Sequence, residues 1–399
     1  MSKFMKGLKE KLKRSQNIVV LYEAVVGGCI KIKKSIFNLL ERCLPYTIYM
    51  AIRIWDYRIT TKDKTKLFRG PYFYKWKPFS KKKYCIIRIQ RPDHALFAAG
   101  RQYVYAAEYA KRKGMYPLLD IEWNDDFENG DLGKRNIWEY VFAQRRVQDI
   151  LKEDATILVS KYGGGDMCLS ETCFDINKNR EDDYIHATEE KWRDYYTNIY
   201  KYVEKYWKFN KDFLFEADRE FKEIFGNGEN ILGVSLRENF SREYFALIEK
   251  EDAKEMFRRH PLGPDVHEII EIVEDYLTRW NCEKIFVATM FDSSIRMFEE
   301  RFQGRILYAK RKRFTNLAEA AAITNLKKNW KDQPSGDAVK SHSEEMVECQ
   351  QYAQEILLIS KCAYFIGAKS GGTIAALMLN GGQYKDIKIL EDKRQIARY

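Results

Sequence analysis

Between residues 84 and 390 the apolar positions fall into short runs of strand character that alternate with longer runs of helical period. Residues 84–90 (YCIIRIQ) predict a strand, the apolar run 97–109 closed by Gly114 a helix, and residues 116–122 (YPLLDIE) the next strand, which makes a βαβ unit. The run 155–160 precedes Gly163, Gly164 and Gly165, which lack GxGxxG spacing and read as a turn. Residues 187–225 carry Trp, Tyr, Lys and Glu at helical spacing and predict amphipathic helices, with Gly226 and Gly228 marking a boundary. A second series follows: strands at 231–237, 284–290, 305–309, 363–369 and 386–390, and helices at 265–280, 293–302, 343–360 and 373–379. The expected fold class is therefore α/β, with two Rossmann-type parallel-sheet domains facing a cleft. The chain divides into an N-terminal extension (1–83), a first α/β domain (84–228) and a second, Rossmann-like domain (229–399).

Charge changes the picture only at the N-terminus. The net charge is +11, yet residues 1–83 hold 21 Lys and Arg against 5 Asp and Glu, leaving 48 basic and 53 acidic residues in the rest. A protein that tracks a phosphate backbone spreads its basic groups over a folded face, so a nucleic-acid partner is not expected. The extension alternates lysine clusters with apolar runs at 17–30 and 43–55, both too short to cross a bilayer. Such a helical basic segment suits the interface of an anionic membrane, and an ordinary helical extension packed on the body is the alternative. The expected location is cytoplasmic and peripheral, at the inner face of the plasma membrane, because no small-residue cleavage site follows the first apolar run. Eight scattered cysteines without CxxC pairs argue against a disulfide framework or zinc knuckle, and five histidines without HExxH against a histidine-based metal site.

In open α/β sheets ligands bind beyond the carboxyl ends of the strands, so candidate chemistry is sought there. The first strand of the second series runs into Arg237, whose guanidinium could grip a phosphate through two hydrogen bonds or form a surface ion pair. The strand 363–369 runs into Ser370-Gly371-Gly372-Thr373 and an apolar helix. Glycines let a ligand approach the backbone, and a helix N-terminus offers free N–H groups to a diphosphate, while a tight turn capped by Thr373 is the plain alternative. Thr289 and Asp292 end the middle strand where a base or ribose would sit, and Asp292 is equally a candidate helix cap. Asp125-Asp126 and Asp182-Asp183 lie in polar stretches and are read as solvated, so no metal and no cofactor are assigned. The quartet Lys310-Arg311-Lys312-Arg313 reads as a solvated loop, with an anionic glycan or a lipid-linked phosphate as a second reading.

The order of these pieces resembles the α-1,6-fucosyltransferase-like glycosyltransferases, a group that includes nodulation fucosyltransferases, in the branch tied to bacterial surface polysaccharides. The matching segments are GVSLR (233–237), HPLGPDVHEIIEIV (260–273), WNCEKIFVAT (280–289) and EILLISKCAYFIGAKSGGTIAALMLNGG (355–382), with IIRIQRPDHALFA (86–98) and NIWEYVFAQ (136–144) in the first half. The resemblance implies a GT-B-like enzyme that moves fucose from GDP-fucose to a glycan or lipid-linked oligosaccharide with inversion and without an essential metal. It implies a diphosphate-binding, catalytic Arg237, a base-contacting Glu355, a phosphate loop at Ser370, Gly371 and Gly372, and His260-Pro261 opening a helix. Three places depart from the pattern: Glu238, Asn239 and Phe240 after Arg237, Met290 and Phe291 before a late Asp292, and Pro92 to Phe97 in place of a glycine-rich loop.

Heterolysis of the donor's C1–O bond loads negative charge on the leaving diphosphate, which Arg237 and the glycine-started helix are placed to receive. Glu243, and on the acceptor side Asp93 and His94, are the candidate general bases, with an ordinary surface residue as the alternative reading of each. Two rival functions remain: a catalytically inactive glycan-binding or assembly module, and nucleic-acid binding through the basic N-terminus.

Overall fold

The computed structural model describes residues 33, 35–60, 71–90, 96–122, 132–134, 136–162, 189–226, 228, 230–238, 241–247, 263–321 and 342–390. In chain order these form α1 (residues 35–43), α2 (Tyr46–Thr60), β1 (Tyr72–Lys75), β2 (Lys83–Gln90), α3 (Leu96–Arg112), β3 (Tyr116–Glu122), β4 (Thr156–Tyr162), α4 (Glu189–Tyr206) and α5 (Lys211–Phe225). The second half gives β5 (Ile231–Ser235), α6 (Arg242–Leu247), α7 (Val266–Arg279), β6 (Lys284–Ala288), α8 (Asp292–Arg301), β7 (Ile306–Leu307), α9 (His342–Ile359), β8 (Tyr364–Ala368), α10 (Gly371–Asn380) and β9 (Asp386–Leu390).

Two sheets result. The first has the order β1-β4-β2-β3, with β2 parallel to both β3 and β4 and β1 antiparallel to β4. Because β1 lies at 72–75, the basic N-terminal segment is not helical throughout: its end supplies an edge strand. The second sheet has the order β7-β6-β5-β8-β9 and is parallel at every pairing. From β5 the chain crosses to β6 on one side and later to β8 on the other, so the topological switch point lies between the carboxyl ends of β5 and β8.

Alternation along the strands decides which face meets which layer. On β2, Cys85, Ile87 and Ile89 face α3 and the main core, while Tyr84 and Ile86 face a smaller core with Leu118, Val147 and Ile157. The main core continues through Trp138, Phe142, Val203 and Trp207 to Phe286, Ile356 and Ile374, so helices α3, α4, α9 and α10 form one packed layer between the sheets. The outer face of the second sheet is covered by α7 and α8, through Val273, Leu277, Ile295 and Phe298. At the junction Trp138 and Phe142 stack with ring centroids 3.8 Å apart. Gly100 of α3 is required there: a Cβ at this position would lie 2.9 Å from both Trp138 and Trp207.

Strand ends account for most differences from the sequence reading. β5 stops at Ser235, and the N–H of Leu236 makes the last bond toward β6, to the carbonyl of Ala288 (2.9 Å). This frees Arg237 from the ladder. Helix α7 begins after Asp265, whose side chain and Glu268 form a reciprocal capping box.

Candidate diphosphate site at the switch point

Arg237 leaves the end of β5 and points across the switch point. Its Nη1 donates to the backbone carbonyl of Lys369 over 2.7 Å, one residue before the N-cap of α10. Ser370 is that cap: its Oγ accepts the N–H of Thr373 at 3.1 Å, and the Thr373 hydroxyl donates to the carbonyl of Ala368. Both side chains are buried, so they shape the turn rather than meet a ligand. What α10 presents outward is Gly371, while Gly372 turns toward Ile356 and Tyr352. No hydrogen bond among the described residues uses their N–H groups, and a Cβ placed on Gly371 would meet nothing within 4 Å. A guanidinium and a bare helix N-terminus, with open space before Gly371, therefore lie side by side, which is the pairing that binds phosphate groups.

Tyr352, on α9, is a third component. Its hydroxyl lies 3.3 Å from the Cβ position of Gly372, and its ring packs edge-on against Phe97 at 5.5 Å and lies 5.9 Å from the Arg311 guanidinium. Burial pushes the phenol up to about 12, against the pull of Arg311 and Arg237. It therefore stays a neutral donor throughout the physiological range.

Behind this surface lies a buried charge cluster. Glu355 of α9 pairs with Arg311 through Oε2 and with Arg313 through Oε1 (3.4 Å), and the three side chains are 3%, 10% and 5% exposed. The basic quartet is thus divided. Lys310 and Lys312 are exposed, whereas Arg311 and Arg313 turn inward, contrary to the expectation of a solvated loop. Arg313 also donates to the carbonyls of Thr289 (3.2 Å) and Ala309 (2.8 Å), fixing the loop after β7 to the end of β6. Burial raises the Glu355 carboxyl and the two guanidinium groups oppose that rise. Arg311 Nε is buried without a hydrogen-bond partner among the described residues.

Glu238, adjacent to Arg237, points into the protein. Its carboxylate accepts from the Thr289 hydroxyl, and burial raises its pKa against hydrogen bonds from Thr289 and Ser294. A ligand contact from Thr289 meets a competing use, because its hydroxyl donates to Glu238 and accepts the N–H of Phe291 at 3.1 Å. Thr289 and Glu238 together hold the ends of β5 and β6 against the first turn of α8. Asp292 is exposed and is the first residue of α8, whose N-cap is Phe291, so it does not cap that helix. Glu243 is exposed in the first turn of α6, and its N–H donates to Asp265 Oδ1 at 3.4 Å.

Arg237, Ser370, Gly371, Gly372 and Thr373 are thus gathered at one place, with Glu355 behind them and Thr289 and Asp292 at the end of the neighbouring strand. Asp93, His94, His260, Pro261, Asn239 and Phe240 lie outside the described residues, as do Gly163 to Gly165 and the two aspartate pairs. Among the described residues no group of three or more His, Cys, Asp or Glu side chains is gathered for a metal ion. The sequence reading did not single out Tyr352. Its signal was its place one helical turn before Glu355, on the same helix.

No family model and no curated protein sequence matches this chain. Among solved structures, the chain is similar to NodZ α-1,6-fucosyltransferase soaked with GDP-fucose, at 14% identity over 75% of this chain and 93% of that one, with a TM-score of 0.38. A fucosyltransferase NodZ from Bradyrhizobium gives 14% identity over 74% and 92%, with a TM-score of 0.35. POFUT1 in complex with GDP gives 10% identity over 76% and 98%, with a TM-score of 0.37. The overlap is loose at these scores, and the chain's own residues have to carry any functional reading.

Proposed function

We propose that the chain is a glycosyltransferase whose nucleotide-diphosphate sugar sits at the switch point of the second sheet, with fucose from GDP-fucose as the donor. The observation that carries the reading is the 2.7 Å bond from Arg237 to the carbonyl of Lys369, which seats a guanidinium beside the open N-terminus of α10. In the transfer step the C1–O bond to the β-phosphate breaks and its electron pair stays on the diphosphate. The acceptor hydroxyl oxygen bonds to C1 from the opposite face, inverting that centre, and its proton passes to a base. Arg237, the Gly371 and Gly372 N–H groups and the Tyr352 hydroxyl stabilise the developing charge without moving, since all are fixed before the donor arrives. Of the two carboxylates that follow Arg237 before α6 ends, Glu238 is engaged inside the protein and Glu243 is exposed, so Glu243 is the one assigned to take the proton.

The acceptor assigned is a glycan of a surface polysaccharide, presented as a free or lipid-linked oligosaccharide. The test is turnover of a donor panel by the purified protein, read as release of nucleoside diphosphate with a glycan acceptor present. Release from GDP-fucose that falls about 10²-fold or more in Arg237→Ala supports the reading. No release from any nucleotide sugar overturns it in favour of a glycan-binding module.

A further inference from the structure

Helices α1 and α2 form a hairpin held to the body along one side. Tyr46, Tyr49, Met50 and Ile54 of α2 are buried, and Tyr46 meets Tyr109 of α3 edge-on at 5.9 Å. Glu41 of α1 accepts from the Tyr109 hydroxyl at 3.1 Å and pairs with Lys113 at 2.5 Å. The helices are clasped to one another by the Lys33–Asp56 ion pair (2.8 Å) and by the Arg53 guanidinium over the Phe37 ring (4.7 Å).

The other side is open and apolar. Ile36 and Leu39 on α1 are 53% and 62% exposed, and Trp55 and Ile59 on α2 are 67% and 62% exposed. Spacings of three and four residues align each pair on one stripe of its helix. Exposed Cys43 extends the first stripe, and half-buried Ile48 and Ile52 extend the second. At about 100° per residue the α2 stripe lies across the helix from Met50 and Ile54, and the α1 stripe lies across from Glu41, so both face away from the body.

Charge identifies the occupant. Residues 33–60 carry Lys33, Lys34, Arg42, Arg53 and Arg58 against Glu41 and Asp56 alone, and Lys113 and Lys33 neutralise those two acids. A second copy of this hairpin would bring like charge against like. A stable dimer also needs about 800 Å² from each partner, more than four partly exposed side chains supply. An anionic lipid surface matches both the charge and the small apolar area, and Trp favours the headgroup level. Among the described residues no helix is long and apolar enough to cross a membrane.

We propose that the α1–α2 hairpin docks on an anionic bilayer, with Ile36, Leu39, Trp55 and Ile59 entering the headgroup–acyl boundary and Arg42 and Arg58 meeting the headgroups. The assignment is independent of the donor site. The experiment is co-sedimentation of the full chain with phosphatidylcholine vesicles, with and without phosphatidylglycerol. Binding to the anionic vesicles alone is expected, weakening at high salt. The combined variant Ile36→Ser, Leu39→Ser, Trp55→Ser, Ile59→Ser should lose about tenfold or more in partitioning with an unchanged melting temperature. Should that variant unfold, Arg42→Glu with Arg58→Glu leaves the apolar face intact and must lose anionic binding as well. Wild-type protein that ignores anionic vesicles, or apolar-face and charge-reversed variants that bind them like wild type, overturns the proposal. So does an apolar-face variant whose only change is dissociation of a dimer in light scattering.

Discussion

Phe97, the second residue of α3, packs edge-on against Tyr352 of α9, with ring centroids 5.5 Å apart. This contact runs from the helix that follows β2 to a hydroxyl beside Gly372, so the start of α3 buttresses a group at the candidate diphosphate site. Tyr352→Phe keeps the ring and removes only that hydroxyl. The variant should melt like wild type, bind a nucleoside as before, and bind the nucleoside diphosphate about tenfold more weakly, the usual cost of one hydrogen bond to a charged group. Calorimetric titration with both ligands measures it.

Gly371 separates binding from folding. A methyl group there meets no protein atom within 4 Å, so Gly371→Ala should leave the melting temperature within about 2 °C of wild type or raise it, since Ala is the better helix former. The same methyl group occupies the approach of a phosphate to the helix N-terminus. A loss of nucleoside diphosphate affinity of about tenfold or more is expected, and unchanged affinity would place the diphosphate elsewhere.

Glu355 tests the buried cluster. Replacing it with Ala strands Arg311 and Arg313, both nearly inaccessible, without their shared counter-ion. Breaking a buried pair in this way costs about 3–5 kcal/mol. Urea unfolding should register that loss, and a change below about 1 kcal/mol would mean that the guanidinium groups find water.

Glu238 sets a pH dependence. Burial raises its pKa in the folded chain, so the folded state holds this proton more tightly than the unfolded state does. Its contribution is therefore favourable below the unfolded carboxyl value, about 4.3, and is lost as pH rises through the folded value. Glu238→Gln still accepts from Thr289 and carries no charge. Its stability should fall less between pH 5 and pH 8 than that of wild type, as measured by urea unfolding at the two values.

Much of this architecture is legible before any coordinates. The strands of the second sheet are apolar on both faces, so their runs stand out from the amphipathic helices between them, and residues 233–237 and 370–373 mark the two sides of the switch point. Strand β1 is not legible, because four residues of the form YFYK in a lysine-rich stretch acquire strand character only by pairing with β4. Arg311 and Arg313 read as solvated because charge alternating along a loop looks exposed unless its partner is known, and Glu355 lies 42 residues beyond Arg313. The burial of Glu238 is not legible either, because its partner Thr289 lies at the end of another strand, 51 residues on.

The most direct measurement is a thermal-shift comparison of GDP, UDP, CMP and TDP on the wild-type chain and on Arg237→Ala. The account predicts stabilisation by GDP that the substitution largely abolishes, because the guanidinium held against Lys369 is the principal cation at the site. Stabilisation that survives the loss of Arg237, or that appears with UDP alone, contradicts it.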